Sequence, residues 1–205
     1  MGIRGFRVRQ PEEAEARRRS ILLAAGKVFA QKGYWSATLD DVAEEMGVTK
    51  TVIYYYFRSK EEVYAEIRVT ATIDNIKRLR AVLERGGSPE QMLRGATSDL
   101  LRHVLEGLEQ YSVLIQDRHV LTPENRARLR EVEREYEELV RGIVEQGVRA
   151  GVFAARDPKV TAFTIIRAVL GVANWYSPDG PLPPPYIIQH VTEQLISGVL
   201  RTPAE

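Results

Sequence analysis

The sequence predicts an all-α fold in which a small three-helix unit precedes a larger helical body. Three observations predict it. Apolar residues recur at three- and four-residue offsets through most of the 205 residues, the spacing of one helix face. Capping signatures stand just before those runs, at Thr38 with Asp41, Ser59 with Glu62 and Ser88-Pro89 with Gln91. No segment makes a convincing strand, and there is no internal repeat or low-complexity tract.

Composition bounds the class. An apolar share of 44% is enough to fill a proper core. Net charge is only +1, but residues 1–60 hold 11 Lys/Arg against 7 Asp/Glu while residues 61–205 hold 18 against 21. A basic N-terminal module on a slightly acidic body suits a polyanion at one end only. With no cysteine there are no disulfides, no thiolate chemistry and no cysteine-based zinc site. No apolar run approaches the roughly 18 residues of a membrane span. The N-terminus lacks the apolar core of a signal peptide, so a cytoplasmic protein with no membrane partner is expected.

Residues 1–11 are basic and without period, ending in Pro11. They read either as a flexible tail or as an arm whose Arg4, Arg7 and Arg9 reach phosphates or a minor groove. Over 12–32, Ile21, Leu22, Ala25, Val28 and Phe29 form one helical face, and Gly33 stops the helix. Arg17, Arg18 and Arg19 sit together at its start, as a solvated run or as phosphate contacts.

Residues 38–60 carry the densest information. Thr38 caps a short helix with the narrow apolar stripe Val42, Ala43 and Met46, and Gly47 ends it where a left-handed residue is needed. Thr49 caps the next helix, whose Val52, Ile53 and Phe57 pack back on the first. Lys50, Thr51, Tyr54 and Tyr55 are left for an outer face. A compact exposed helix bearing donors, methyls and aromatic hydroxyls suits a DNA major groove, so the 12–57 unit reads as a helix-turn-helix. Lys50 in the first turn is placed for guanine, with Thr49 and Thr51 beside it for phosphates or thymine methyls. Tyr54 and Tyr55 lie a turn further on. Lys60 and Thr38, each at a helix start, are expected at phosphates.

Gly33-Tyr34, Thr38, Val42-Ala43-Glu44-Glu45-Met46-Gly47-Val48 and Tyr54-Tyr55-Tyr56-Phe57-Arg58-Ser59-Lys60-Glu61-Glu62 also appear in that order at family spacing. Over roughly residues 15–65 the chain resembles the DNA-binding domain of TetR-family repressors. The resemblance implies an all-α regulator that dimerises through its C-terminal domain and releases DNA when a small ligand binds. The family often has glycine or alanine where Thr51 sits and histidine or arginine near Tyr55, which makes these two positions candidates for operator preference.

The body is expected over 58–201. Ser59 opens a long helix to about residue 84, with Val63, Ile67, Thr70, Ile73, Ile76, Leu79 and Leu83 as its stripe, and Gly86-Gly87 breaks it. A helix follows from Ser88 to about 106, then a shorter element near 109–118 with Tyr111, Leu114 and Ile115. Thr122-Pro123 begins a charged helix to about 149. Asp157-Pro158 opens one over 158–174 that is apolar around much of its circumference. A stiff proline connection at 175–185 precedes a last helix at 186–200. The last two helices carry more apolar surface than one face needs. Ile165, Val169, Ile188, Leu195 and Val199 are therefore expected in a homodimer interface.

Tyr111, Leu114, Arg118, Trp175 and Tyr176 are the candidates for a cavity holding an elongated apolar ligand with a polar head; ordinary packing is the competing reading. The 171–182 segment is similar to the C-terminal region of acyl-CoA-responsive members of the family, which implies a coenzyme A thioester as effector. His103, His119 and His190 show no metal-ligand spacing, and no nucleophile motif appears. The expected protein is a repressor without metal or cofactor that binds a palindromic operator as a dimer. A lipophile-sensing efflux repressor is the alternative in its class. A helical enzyme or lipid carrier is the alternative outside it.

Overall fold

The computed structural model describes residues 11–108, 111 and 120–201. The arm at 1–10, most of the 109–118 element, Leu114, Arg118 and His119 lie outside them. Eight α-helices run through the described residues: α1 (Pro11–Ser36), α2 (Leu39–Glu45), α3 (Lys50–Tyr56), α4 (Lys60–Arg85), α5 (Pro89–Glu106), α6 (Pro123–Arg149), α7 (Pro158–Gly171) and α8 (Pro184–Ser197).

Local chemistry sets most of these ends. Gly33 adopts φ 74°, ψ 151° within α1, so regular helix does break there although a further helical turn reaches Ser36. The Ser88 hydroxyl and the Gln91 side chain close a complete capping box, and α5, α6 and α7 each begin with proline, whose missing N–H costs nothing in a first turn. Four expectations are corrected. The Thr49 hydroxyl makes no capping bond. Ser59 accepts from the Glu62 N–H, but Glu62 returns its carboxylate to the Arg58 N–H at 2.7 Å, so that box is only half formed. The 158–174 helix stops at Gly171 and tightens into a 3-10 turn over Val172–Asn174, while α8 starts two residues early on Pro184-Pro185.

Two apolar cores stack along α4. The first joins α1, α2, α3 and the start of α4 around Phe29, Val42, Ile53, Phe57 and Tyr64, and it takes in Leu121 just before α6 and Leu129 on it. The second gathers α5, α6, α7 and α8 around Leu93, Leu101, Ile143, Val169 and Ile196. Packing passes from one core to the other inside α4, between Val69 and Ile76. One helix therefore spans the reading unit and the body.

A small β feature was not expected. Phe153 and Leu200 form an antiparallel bridge, with the Ala154 N–H donating to Val199 and the Arg201 N–H to Val152, both at 2.9 Å. The Phe153 ring lies directly on Gly147 of α6, where any side chain would collide with it. Burying that ring contributes about 1.5–3 kcal/mol and pins the chain end to the α6–α7 turn.

Candidate nucleic-acid interface and internal cavity

The reading unit is held by its own polar contacts. The Thr38 N–H donates to Asp41 Oδ2 at 2.7 Å, and the Asp41 N–H returns a bond to the Thr38 hydroxyl at 3.1 Å. Lys32 closes on Asp41 Oδ1 at 2.6 Å. These partners, Lys32 foremost, hold the Asp41 carboxyl down at about 2. Thr38 thus serves α2 as a cap. Gly47, at φ 62°, makes the turn into α3.

Within α3 only Ile53 is buried, with Phe57 just beyond it. Thr49, Lys50, Thr51, Tyr54 and Tyr55 are all exposed, Tyr55 at 73%. Lys50 lies 3.7 Å from Asp40, a solvent-exposed pair that leaves its ammonium accessible. The outer face of α3 is the one anticipated from the spacing.

Lys60 differs from expectation. Its ammonium points back at the carbonyls that end α1, 2.6 Å from Tyr34 O, 2.8 Å from Ala37 O and 3.3 Å from Trp35 O. It also lies over the Tyr34 ring at 4.5 Å. Three N–H donors meet three carbonyls, so the charge ties α4 to the α1–α2 corner instead of facing outward. Burial pushes its pKa down. Arg18 likewise turns inward, donating to the Tyr56 carbonyl at 3.2 Å with its guanidinium 4.4 Å from the Phe57 ring centre. Trp35, which no sequence pattern marks, is 72% exposed at this corner.

The body holds a cavity of about 210 Å³ between α4, α5, α6 and α7. Leu100, Ile166 and Leu170 give it an apolar side, and Arg68, Asn75, Tyr111, Glu133, Tyr136 and Arg167 a polar one. Arg68 pairs with Glu133 at 3.3 Å, and Arg167 with Glu137 at 3.6 Å. Tyr111 donates to Asn75 at 3.0 Å, and burial pushes the phenols of Tyr111 and Tyr136 up. Of the expected ligand residues, Tyr111 lines this cavity. Trp175 and Tyr176 do not: Trp175 is 56% exposed and Tyr176 packs against the second core, while Asn174 beside them lines the wall. His103 stands edge-on to Tyr111 at 5.6 Å, its pKa lowered by burial. Among the described residues no cluster of three His, Asp or Glu is placed to hold a metal ion, and no helix is long and apolar enough to cross a membrane.

The expected dimer residues divide. Ile165 and Val169 face the subunit's own core, at 4% and 0% exposure, and so offer nothing to a partner. Ile188, Leu195 and Val199 are half-buried against that core. The exposed apolar residues of α7, α8 and the connection between them include Val160, Trp175, Leu182 and Tyr186.

Comparison with known proteins follows the same division. The family model described as "Bacterial regulatory proteins, tetR family" matches residues 21–67. That described as "Tetracyclin repressor-like, C-terminal domain" matches residues 86–199. The chain is similar to the HTH-type transcriptional repressor KstR2 of Rhodococcus jostii (strain RHA1), 27% identical over 187 residues that cover 90% of this chain and 89% of that one. It is also similar to the HTH-type transcriptional activator FasR of Mycolicibacterium smegmatis (strain ATCC 700084 / mc(2)155), 24% identical over 190 residues, covering 92% and 85%. In fold it is similar to AibR, solved in complex with isovaleryl coenzyme A and operator DNA, with a TM-score of 0.77 at 21% identity over 89% of this chain and 97% of that one.

Proposed function

The chain belongs to the TetR family of bacterial transcriptional regulators, and from that premise we propose that it represses transcription as a homodimer released from a palindromic operator by a coenzyme A thioester. Membership in a family of regulators displaces the enzyme and lipid-carrier readings. A single α3 touches too few base pairs to discriminate, so two copies would act about one DNA turn apart, roughly 34–36 Å.

The observation that carries the effector reading is the cavity of about 210 Å³ with its apolar and polar sides. A cavity of about 150 Å³ holds benzene, so this one has room for a short branched or aryl acyl group. Leu100, Ile166 and Leu170 would meet its carbons, and the donors Arg68 and Tyr136 its carbonyl. The nucleotide is larger than the cavity and would lie outside it. The thioester bound by AibR and the repressor KstR2 support this reading by likeness.

A second reading is a lipophilic cation sensed by an efflux repressor, which would have to displace Arg68 or Arg167 from Glu133 or Glu137 in the same lining. Titrating a preformed protein–operator complex with thioesters of graded acyl size, free acids, free coenzyme A and lipophilic cations separates the two. Short and aryl thioesters should weaken operator binding about 5–150-fold, the range of ordinary allosteric coupling. Release by the cations alone would replace the thioester assignment with the efflux reading.

A further inference from the structure

Two arginines, one from α1 and one from α6, converge on one carboxylate of α4. Glu66, in the second turn of α4, has a side chain only 12% exposed. Its Oε2 lies 2.6 Å from Arg128 Nη1 on α6, and its Oε1 lies 3.4 Å from Arg18 Nη2 on α1. The other nitrogen of that Arg18 fork donates to the carbonyl of Tyr56, the last residue of the reading helix, at 3.2 Å. Arg128 in turn belongs to the helix whose Glu133, Tyr136 and Glu137 line the cavity. At about 1.5 Å per residue, those positions lie roughly 7–14 Å further along one continuous helix.

We infer that Glu66 is a positioning residue for DNA binding, fixing the end of α3 relative to α6 through Arg18 and Arg128. Each link is of a kind that transmits displacement. The Arg128 pair has a second, longer contact, Nη2 to Oε1 at 3.5 Å, which restricts rotation as well as distance. The Arg18 guanidinium is held against the Phe57 ring, so it cannot swing away without uncovering that ring. The first turns of α6 are already inside the reading unit's core through Leu121 and Leu129, and Glu61 accepts from the Thr122 N–H at 2.9 Å at the start of that helix. A shift of α6 at the cavity therefore reaches Tyr56 along a path of charged contacts. α4 need not tilt as a whole.

The inference concerns operator affinity in the absence of any effector, so it stands or falls separately from the thioester reading. Glu66→Gln, Arg128→Ala and the double variant are compared with wild type for operator binding across a salt series, with dimer state and thermal midpoint recorded alongside. Glu66→Gln keeps the side chain's shape, and Arg128→Lys serves as the conservative variant should Arg128→Ala fold poorly. We expect each single variant to lose about fivefold or more in operator affinity, the lower end of ordinary coupling, although neither residue stands on α3. Losses in the double variant should fall well short of the product, Arg128→Lys should recover part of the loss, and the salt slope should not change. Unaltered affinity in both folded, dimeric single variants would overturn the inference, as would losses that multiply independently. A salt slope lowered by about 1 would overturn it too, because it would make the residue a direct phosphate contact.

Discussion

The Lys60 ammonium lies 2.6 Å from the Tyr34 carbonyl oxygen and 4.5 Å from the centre of the Tyr34 ring, so one residue offers it both an acceptor and a π face. With Ala37 O at 2.8 Å, the charge closes the end of α1 onto the start of α4. Lys60→Ala removes these bonds and leaves the carbonyls in a partly buried corner. Hydrogen bonds to a charged group contribute about 1.5–3 kcal/mol, so the thermal midpoint should fall accordingly. The slope of operator affinity against salt should stay unchanged. A slope reduced by about 1 would return Lys60 to the phosphate backbone.

Lys50 should behave oppositely. Its side chain is 67% exposed and its partner Asp40 63%, so the pair adds little to stability and Lys50→Ala should unfold at the wild-type temperature. If the lysine donates to a guanine edge, the substitution costs about 1–3 kcal/mol at the cognate operator and relaxes preference at one base position. Competition with random DNA is the measurement. Equal weakening of both DNAs would make Lys50 a phosphate contact.

Asp41 supplies a pH dependence. Its carboxyl is lowered from an ordinary value of 3.8 to about 2 in the folded state, first by Lys32 and then by Thr38. A depressed carboxylate contributes stability that is fully present above the unfolded value and disappears as pH falls through the folded one. The window is therefore roughly pH 4 down to 2. Wild type should lose denaturant midpoint across it more steeply than Asp41→Asn, which has no proton to gain. Parallel profiles would show that the Lys32 contact does not persist in solution.

Local chemistry explains why the helix starts at Ser88, Thr122 and Asp157 and the breaks at Gly33 and Gly47 were legible in the sequence: each is decided by residues within three or four positions. Lys60 and Arg18 were not legible, because their acceptors are 23 to 38 residues away and both side chains read locally as free surface cations. The face of α3 could be assigned because one side alone is apolar. On α7 apolar residues surround the axis, and the pattern therefore could not say that Val169 points inward while Val160 points out. Proximity to a stiff loop points to Trp175 and Tyr176 for the cavity, but the 3-10 turn at Val172–Asn174 leaves Trp175 exposed and Tyr176 against the core, with Asn174 at the wall.

That difference on α7 yields the last prediction. Val160 is 59% exposed and Tyr186 48%, on the two helices proposed to pair, whereas Val169 is fully enclosed by its own subunit. A charge at Val169 is buried without a partner and should unfold the body, since an unpaired interior charge is tolerated only by neutralisation or local opening. A charge at Val160 or Tyr186 meets water in the monomer and so costs little there. In a self-complementary interface each such charge would face apolar surface, and a symmetric contact presents every substitution twice. Val160→Glu and Tyr186→Glu should therefore keep wild-type helix content while sedimenting as monomers, and operator binding should be lost with the dimer. Val169→Asp should lose helix content first. Should both surface variants remain dimeric with operator affinity intact, the pairing face must lie away from α7 and α8.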